Sequence, residues 1–143
     1  MYRKSTADDC FDIYHLICKL EDTELPYADF KKIYLAQTQD EQYYCLVCEQ
    51  NNRLVGILNL RFEAQLHHAA KISEILEFFI TEPYRNHGLG KEMFTYGCQI
   101  AQRMGCQQIE VTCNQLRTKA HRFYSRQGMD FSHYKFSKSF GKK

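Results

Sequence analysis

Apolar positions change their period several times along the chain, and each change marks an element. In "STADDCFDIYHLICKL", Ile13, Leu16, Ile17 and Leu20 recur on one helical face. The start signal precedes them: Thr6 and Asp9 have capping-box spacing, and Asp8 and Asp9 suit the helix dipole. Pro26 then breaks the chain, and "YADFKKIYLAQ" predicts a second helix. "YYCLVCE" and "LVGILNLRF" read as strands joined by the turn "QNNR" into a hairpin. "QLHHAAK" is a connection to "ISEILEFFI", a strand apolar enough to be buried on both faces. After a glycine-bearing loop, Met93, Gly97, Ile100 and Met104 share a face of "KEMFTYGCQIAQRM", while Glu92, Gln99 and Arg103 fall outside it. That pattern is an amphipathic helix ending at Gly105. "QQIEVTC" is a strand, "TKAHRFYSRQ" a helix stopped by Gly128, and "FSHYKFSKSF" a last strand by its rough alternation. Two helices, a hairpin, then strand, helix, strand, helix, strand make a mixed α/β domain. With no repeat, low-complexity run or linker, residues 1–143 are expected to form one domain.

Composition narrows the partners. Hydrophobic residues make up 44% of the 143, enough for a core at this length. Charged residues are 25% and the net charge is +2, which leaves no electrostatic footprint for nucleic acid. The basic ending, Lys135, Lys138, Lys142 and Lys143, reads as a solvated tail. No apolar run approaches a membrane span, and the amino terminus is acidic where a signal peptide would be apolar, so a cytosolic protein without a membrane partner is expected. The seven cysteines are odd in number and irregular in spacing, against a disulfide scaffold. Cys45 and Cys48 form one C-x-x-C inside a strand, where their side chains point to opposite faces, and they read as core packing.

The stretch "EPYRNHGLGKEMF" carries the chemistry. A nucleotide-hydrolase phosphate loop needs glycine, four residues, then Gly-Lys-Ser/Thr. Counting back from Gly90-Lys91 puts Arg85 at the first glycine and Glu92 at the hydroxyl, so that loop is absent. A dinucleotide fingerprint would need glycine where Met93 stands. What remains is Arg85-x-x-Gly88-x-Gly90 between a buried strand and a helix. Without side chains at the glycines, backbone N–H groups of residues 86–91 can close around an anion such as a diphosphate, and the helix adds its positive end.

Arg85-Asn86-His87-Gly88-Leu89-Gly90 resembles the acyl-CoA loop, Arg/Gln-x-x-Gly-x-Gly/Ala, of the GCN5-related N-acetyltransferases. The order of elements is similar too: "ISEILEFFI", then the loop, "KEMFTYGCQIAQRM", "QIEVTCN", and "AHRFYSRQGM" with its "FY" before a glycine. The resemblance spans the whole chain. It implies a mixed central sheet with a splayed pair of parallel strands, flanked by helices, and acetyl-CoA as co-substrate. "HLICKLEDTEL", "LHHAAKISEILEFFI" and "AHRFYSRQGMDFSHYKFSK" look like stretches of bacterial aminoalkylphosphonate N-acetyltransferases, which acetylate small phosphonate-bearing amines and are associated with divalent metal.

The resemblance assigns roles residue by residue. Acetyl transfer to an amine needs a base for the amine, donors for the thioester oxygen and an acid for the departing thiolate. Tyr124 matches the family's proton-donating tyrosine. Glu77, beside Phe78-Phe79-Ile80, is the candidate base, since apolar flanks should raise its pKa; Glu74 and ordered water compete for the role. Phe78, Phe79 and Ile80 are expected to lend backbone groups to the pantetheine arm, with the thioester oxygen near the N–H of Phe79 or Ile80. The cofactor site then comprises those residues with Arg85, Asn86, His87, Gly88, Leu89, Gly90 and Lys91, and Asn114 at the end of the next strand. Arg117 and Lys119 are candidates for the phosphates. His68, Glu74 and His121 are expected near the substrate, and one of His67 and His68 with Glu74, Glu77 or His121 would hold a divalent ion if one is used. The expected acceptor is a small primary amine, an aminoalkylphosphonate or an amino-sugar phosphate, with a CoA-binding sensor as the rival class. A homodimer through "FSHYKFSKSF" is left open.

Overall fold

A computed structural model describes residues 1–141; Lys142 and Lys143 of the basic ending lie outside the described residues. The chain divides into two units, Met1–Val111 and Thr112–Lys143. The first holds strands β1 (Tyr2–Lys4), β2 (Tyr43–Gln50), β3 (Arg53–Gln65), β4 (Ala70–Ile80) and β5 (Gln108–Val111), with helices α1 (Cys10–Glu21), α2 (Tyr27–Thr38) and α3 (Leu89–Arg103). The second holds α4 (Thr118–Arg126).

The five strands form one sheet in the order β1-β2-β3-β4-β5. The first four are mutually antiparallel and β5 runs parallel to β4. Residues directly opposite in such ladders share a face, so register assigns each side chain to a side. Val47, Ile57 and Phe79 line up across β2, β3 and β4 and pack with Ile13, Leu16 and Ile17 of α1 and Tyr34 of α2. Leu46, Leu58 and Phe78 line up on the other side, which α3 covers. Burying each branched side chain there contributes about 1.5–3 kcal/mol. Gly97 lets α3 lie close: a Cβ there would sit 3.2 Å from Leu58.

Several expectations are met in detail. Thr6 and Asp9 form the expected capping box, with Asp9 accepting from the Thr6 backbone N–H at 2.8 Å, although the first turn (Ala7–Asp9) is 3-10 before α1 begins. Gly105 and Gly128 both have φ near +85° at the ends of α3 and α4. Cys45 pairs with Asn59 and Cys48 with Gly56, on opposite faces, and both thiols are free.

Others are corrected. β1 was not foreseen, because three residues carry too little periodicity to register. The connection "QLHHAAK" is present but tighter than expected: a 3-10 turn (Leu66–His68) and Ala69 join β3, which runs to Gln65, to β4, which starts at Ala70. Met104 is not on the buried stripe but exposed at the end of α3, and Phe94 and Ala101 complete that stripe. β4 is buried on both faces only in its first half; residues 76–80 are half-buried. Finally, residues 131–140 form no strand, and Phe131, Tyr134, Phe136 and Phe140 are exposed. Alternation describes which side chains match a pleat, but a strand also needs a ladder partner for its backbone.

Candidate active site

The site begins with an irregularity in β4. Asn59 of β3 faces Glu77, yet the next pair is Leu60 with Ile75, so Leu76 is an extra residue, a β-bulge. In a regular strand, residues three apart point to opposite faces. The bulge puts Glu74 and Glu77 on the same face, the one covered by α1 and α2, and keeps Ile75 beneath α3 with Leu60.

The two carboxylates differ in surroundings. Glu74 lies 2.6 Å from the Arg61 guanidinium in an ion pair that Glu63 joins at 3.7 Å. Among the described residues no cation pairs with Glu77; the Asn59 amide donates to its Oε1 at 2.8 Å. Burial pushes the Glu77 carboxyl above its usual range, Glu21 and Glu74 add to this, and the Asn59 hydrogen bond opposes it. A carboxylate without a cation, with a raised pKa, is a better proton acceptor than one locked to arginine.

Beyond the bulge, β4 outruns its ladder with β5. That ladder ends at Ile75 and Val111, while β4 itself continues to Ile80 with β3 as its strand partner. An extended chain can pair with a strand along such a stretch. The turn that follows is built for an anion. Asn86 and Gly88 are left-handed, φ +66° and +84°, and Gly88 caps α3. Among the described residues, the backbone N–H of Arg85 reaches Glu82 at 3.1 Å, and the next to find a backbone acceptor is that of Glu92, on Gly88 at 3.1 Å. The intervening N–H groups, including those of His87, Leu89, Gly90 and Lys91, therefore remain for a ligand, and a Cβ on Gly88 would project into open space. Arg85 itself turns back. Its Nε donates to the Ile80 carbonyl at 2.7 Å and its guanidinium lies over the Phe79 ring, so it braces the loop against β4.

The histidines do not gather ligands. His67 and His68 sit on the 3-10 turn, not on a strand, with rings 4.3 Å apart, and His68 Nδ1 bonds the Gln65 side chain at 2.7 Å. Among the described residues, no three His, Cys, Asp or Glu side chains assemble as a metal site.

In the second unit, Tyr124 and His121 lie one turn apart on α4. Burial pushes the Tyr124 phenol up to about 12; Cys113 adds to this and Arg117 opposes it. His121 Nε2 donates to the Asn114 carbonyl at 2.8 Å. Asn114 does not end the strand, which stops at Val111; its Oδ1 closes a turn by accepting from the Leu116 N–H at 2.8 Å. Arg117 and Lys119 are exposed at the start of α4. Asn59 and Gln37 were missed by sequence reading. A lone amide amid the apolar positions of "LVGILNLRF" was the available signal.

A glycine turn opening a helix after a strand that outruns its parallel neighbour is an arrangement that suits an acyl-CoA-dependent N-acetyltransferase. Residues 7–129 match the Acetyltransferase (GNAT) family, and the chain belongs to it. An aminoalkylphosphonate N-acetyltransferase of Salmonella typhimurium is 33% identical over 137 residues, covering 96% of this chain and 89% of that one. Similar solved structures include a transcriptional regulator from Bacillus halodurans (TM-score 0.89, 21% identity, 98% and 99% of the two chains). A GNAT family acetyltransferase of Staphylococcus aureus has TM-score 0.78 at 21% identity, covering 98% of each chain. The protein is thus an N-acetyltransferase that uses acetyl-CoA as co-substrate. No described helix is long and apolar enough to cross a membrane.

Proposed function

We propose that this chain, as one catalytic domain, acetylates the primary amine of a small anionic molecule, an aminoalkylphosphonate. The observation that carries the substrate class is the 33% identity to a relative with that activity, sustained over 96% of the chain. The chemistry rests on the chain's own groups. The N–H groups of residues 86–91 hold the diphosphate of the co-substrate, and β4 past its ladder with β5, at Phe78, Phe79 and Ile80, receives its pantetheine arm. Bound acetyl-CoA supplies the acetyl group as an activated thioester. Glu77 takes a proton from the substrate ammonium, which leaves the nitrogen lone pair free to attack. A backbone N–H near Phe79 or Ile80 meets the oxygen that becomes anionic. Tyr124, held protonated by its raised pKa, gives its phenolic proton to the departing thiolate. Arg117 and Lys119 supply positive charge for the remaining phosphates. His121 is assigned to the substrate in this reading and Glu74 keeps Arg61 in place, whereas His68, on the turn that precedes β4, stands at the opposite end of that strand from Ile80 and takes no part. Among the described residues no three His, Cys, Asp or Glu side chains form a metal site, and no step here is routed through an ion.

The test is a panel of amines followed by thiol release from acetyl-CoA: aminomethylphosphonate, aminoethylphosphonate, glucosamine phosphate and a peptide, each with and without a chelator. The expected result is a kcat/KM for the phosphonates at least tenfold above the others. A preference for the sugar phosphate or the peptide replaces the substrate class. Tight acetyl-CoA binding with no amine-dependent release points to a sensor.

A further inference from the structure

We propose that Asn59, braced by Gln37, is the positioning residue that holds the Glu77 carboxylate in its working orientation and as the anion, an inference that rests on Glu77 as the base. Asn59 stands in mid-strand between Leu58 and Leu60, both fully buried, and is itself 7% exposed. Both amide protons are committed, one to Glu77 Oε1 at 2.8 Å and one to Gln37 Oε1 at 3.2 Å. Turning the amide over would set its oxygen against two acceptor oxygens, so the network dictates its direction. The remaining Oδ1 is buried and accepts no hydrogen bond.

That oxygen is the informative atom. A position that needed only volume would be filled by leucine at less cost than an amide with an unmet acceptor. A buried polar group left partly unsatisfied needs a reason, and here the amide is spent on the carboxylate. Gln37 is held in turn by its helix. Tyr34, one turn earlier on α2, donates to the Thr6 carbonyl at 2.6 Å and lies 2.8 Å from Ser5 Oγ, which pins α2 to the chain after β1. The path from α2 through Gln37 and Asn59 to Glu77 is therefore continuous.

Every other influence on Glu77 favours its protonated form. Glu21 of α1 and Glu74 on its own strand repel a second negative charge, and burial penalises it. The Cys45 thiol of β2, on the same face, is pushed up to about 12 and supplies no charge. Arg61 of β3 is taken by Glu74. The Asn59 hydrogen bond works in the opposite sense and is what keeps the carboxylate ionised enough to accept a proton.

The test compares Asn59→Leu, Gln37→Leu and Glu77→Gln with the native enzyme. Two readouts are used: the pH profile of kcat/KM for the amine, and the 13C titration of the Glu77 carboxyl. Loss of one charge-assisted hydrogen bond predicts that Asn59→Leu loses about tenfold in kcat/KM at the acid end and recovers as pH rises. The KM for acetyl-CoA should not change, and Gln37→Leu should move the profile in the same sense by less. In the NMR titration, Glu77 should ionise at higher pH in Asn59→Leu. A loss equal at every pH, with the Glu77 titration unmoved, overturns the inference. If Asn59→Leu does not fold, Gln37→Leu decides by the same criteria. Full turnover in Glu77→Gln instead removes the base assignment, and the NMR titration then judges Asn59 separately.

Discussion

Two glutamates three positions apart in one strand acquire different chemistry from their immediate partners. Glu74 faces a guanidinium and Glu77 faces a neutral amide. Glu77→Gln should therefore lower kcat/KM for the amine by a hundredfold or more, a general-base contribution of about 10²–10⁴, with acetyl-CoA affinity intact in a calorimetric titration. The sign for stability is opposite. A carboxyl whose folded pKa is raised stabilises the fold below its unfolded value and loses that contribution as pH rises through the folded one. Glu77→Gln should then raise the melting temperature at pH 8 by a few degrees and not at pH 4, which scanning calorimetry reads directly. For Tyr124→Phe the phenolic proton is lost and the ring remains. Turnover should drop by about 10²-fold with little change in either KM, whereas equal losses in kcat and affinity would assign the ring to packing.

At the scale of elements, two glycines do different work. Gly88 opens α3 with a left-handed φ and faces open space, so Gly88→Asp introduces strain, volume and negative charge at the proposed diphosphate site. Acetyl-CoA at a hundredfold its Kd should stabilise the native protein by about 2.7 kcal/mol and leave this variant's melting temperature unchanged. Gly97 sits instead against Leu58, and Gly97→Val should destabilise by about 1–3 kcal/mol in urea titrations by pushing α3 off the sheet. The helix periodicities of α1 and α3 were readable because each has a buried stripe that repeats with the helical turn. The bulge at Leu76 was not readable. Nothing in "SEILEFF" distinguishes a strand that keeps its alternation from one that skips a residue, since the skip is decided by the neighbour's register.

Across the molecule, local pattern and long-range pairing contribute different things. Arg3 shows the second kind: it binds Asp9 at 2.8 Å and Glu49 at 2.9 Å, joining β1, the first helical turn and β2 across 46 residues. It holds the Asp9 carboxyl below its usual 3.8, so this contribution is present above that pH and lost as pH falls through the lowered value. Arg3→Gln should cost about 1 kcal/mol at pH 7, and its difference from the native protein should close under acid, as seen in thermal melts at pH 7 and pH 2.5. The sequence by itself determined the order of elements from α1 to α4 and the glycine turn ahead of α3. These depend on periodicity and backbone freedom, which are local properties. Tertiary structure alone decided that Glu74 and Glu77 share a face, that Arg61 takes one and Asn59 the other, that Arg85 braces the loop, and that residues 131–140 form no strand. Each of these turns on which distant backbone or side chain stands opposite, and no local pattern of residues encodes that.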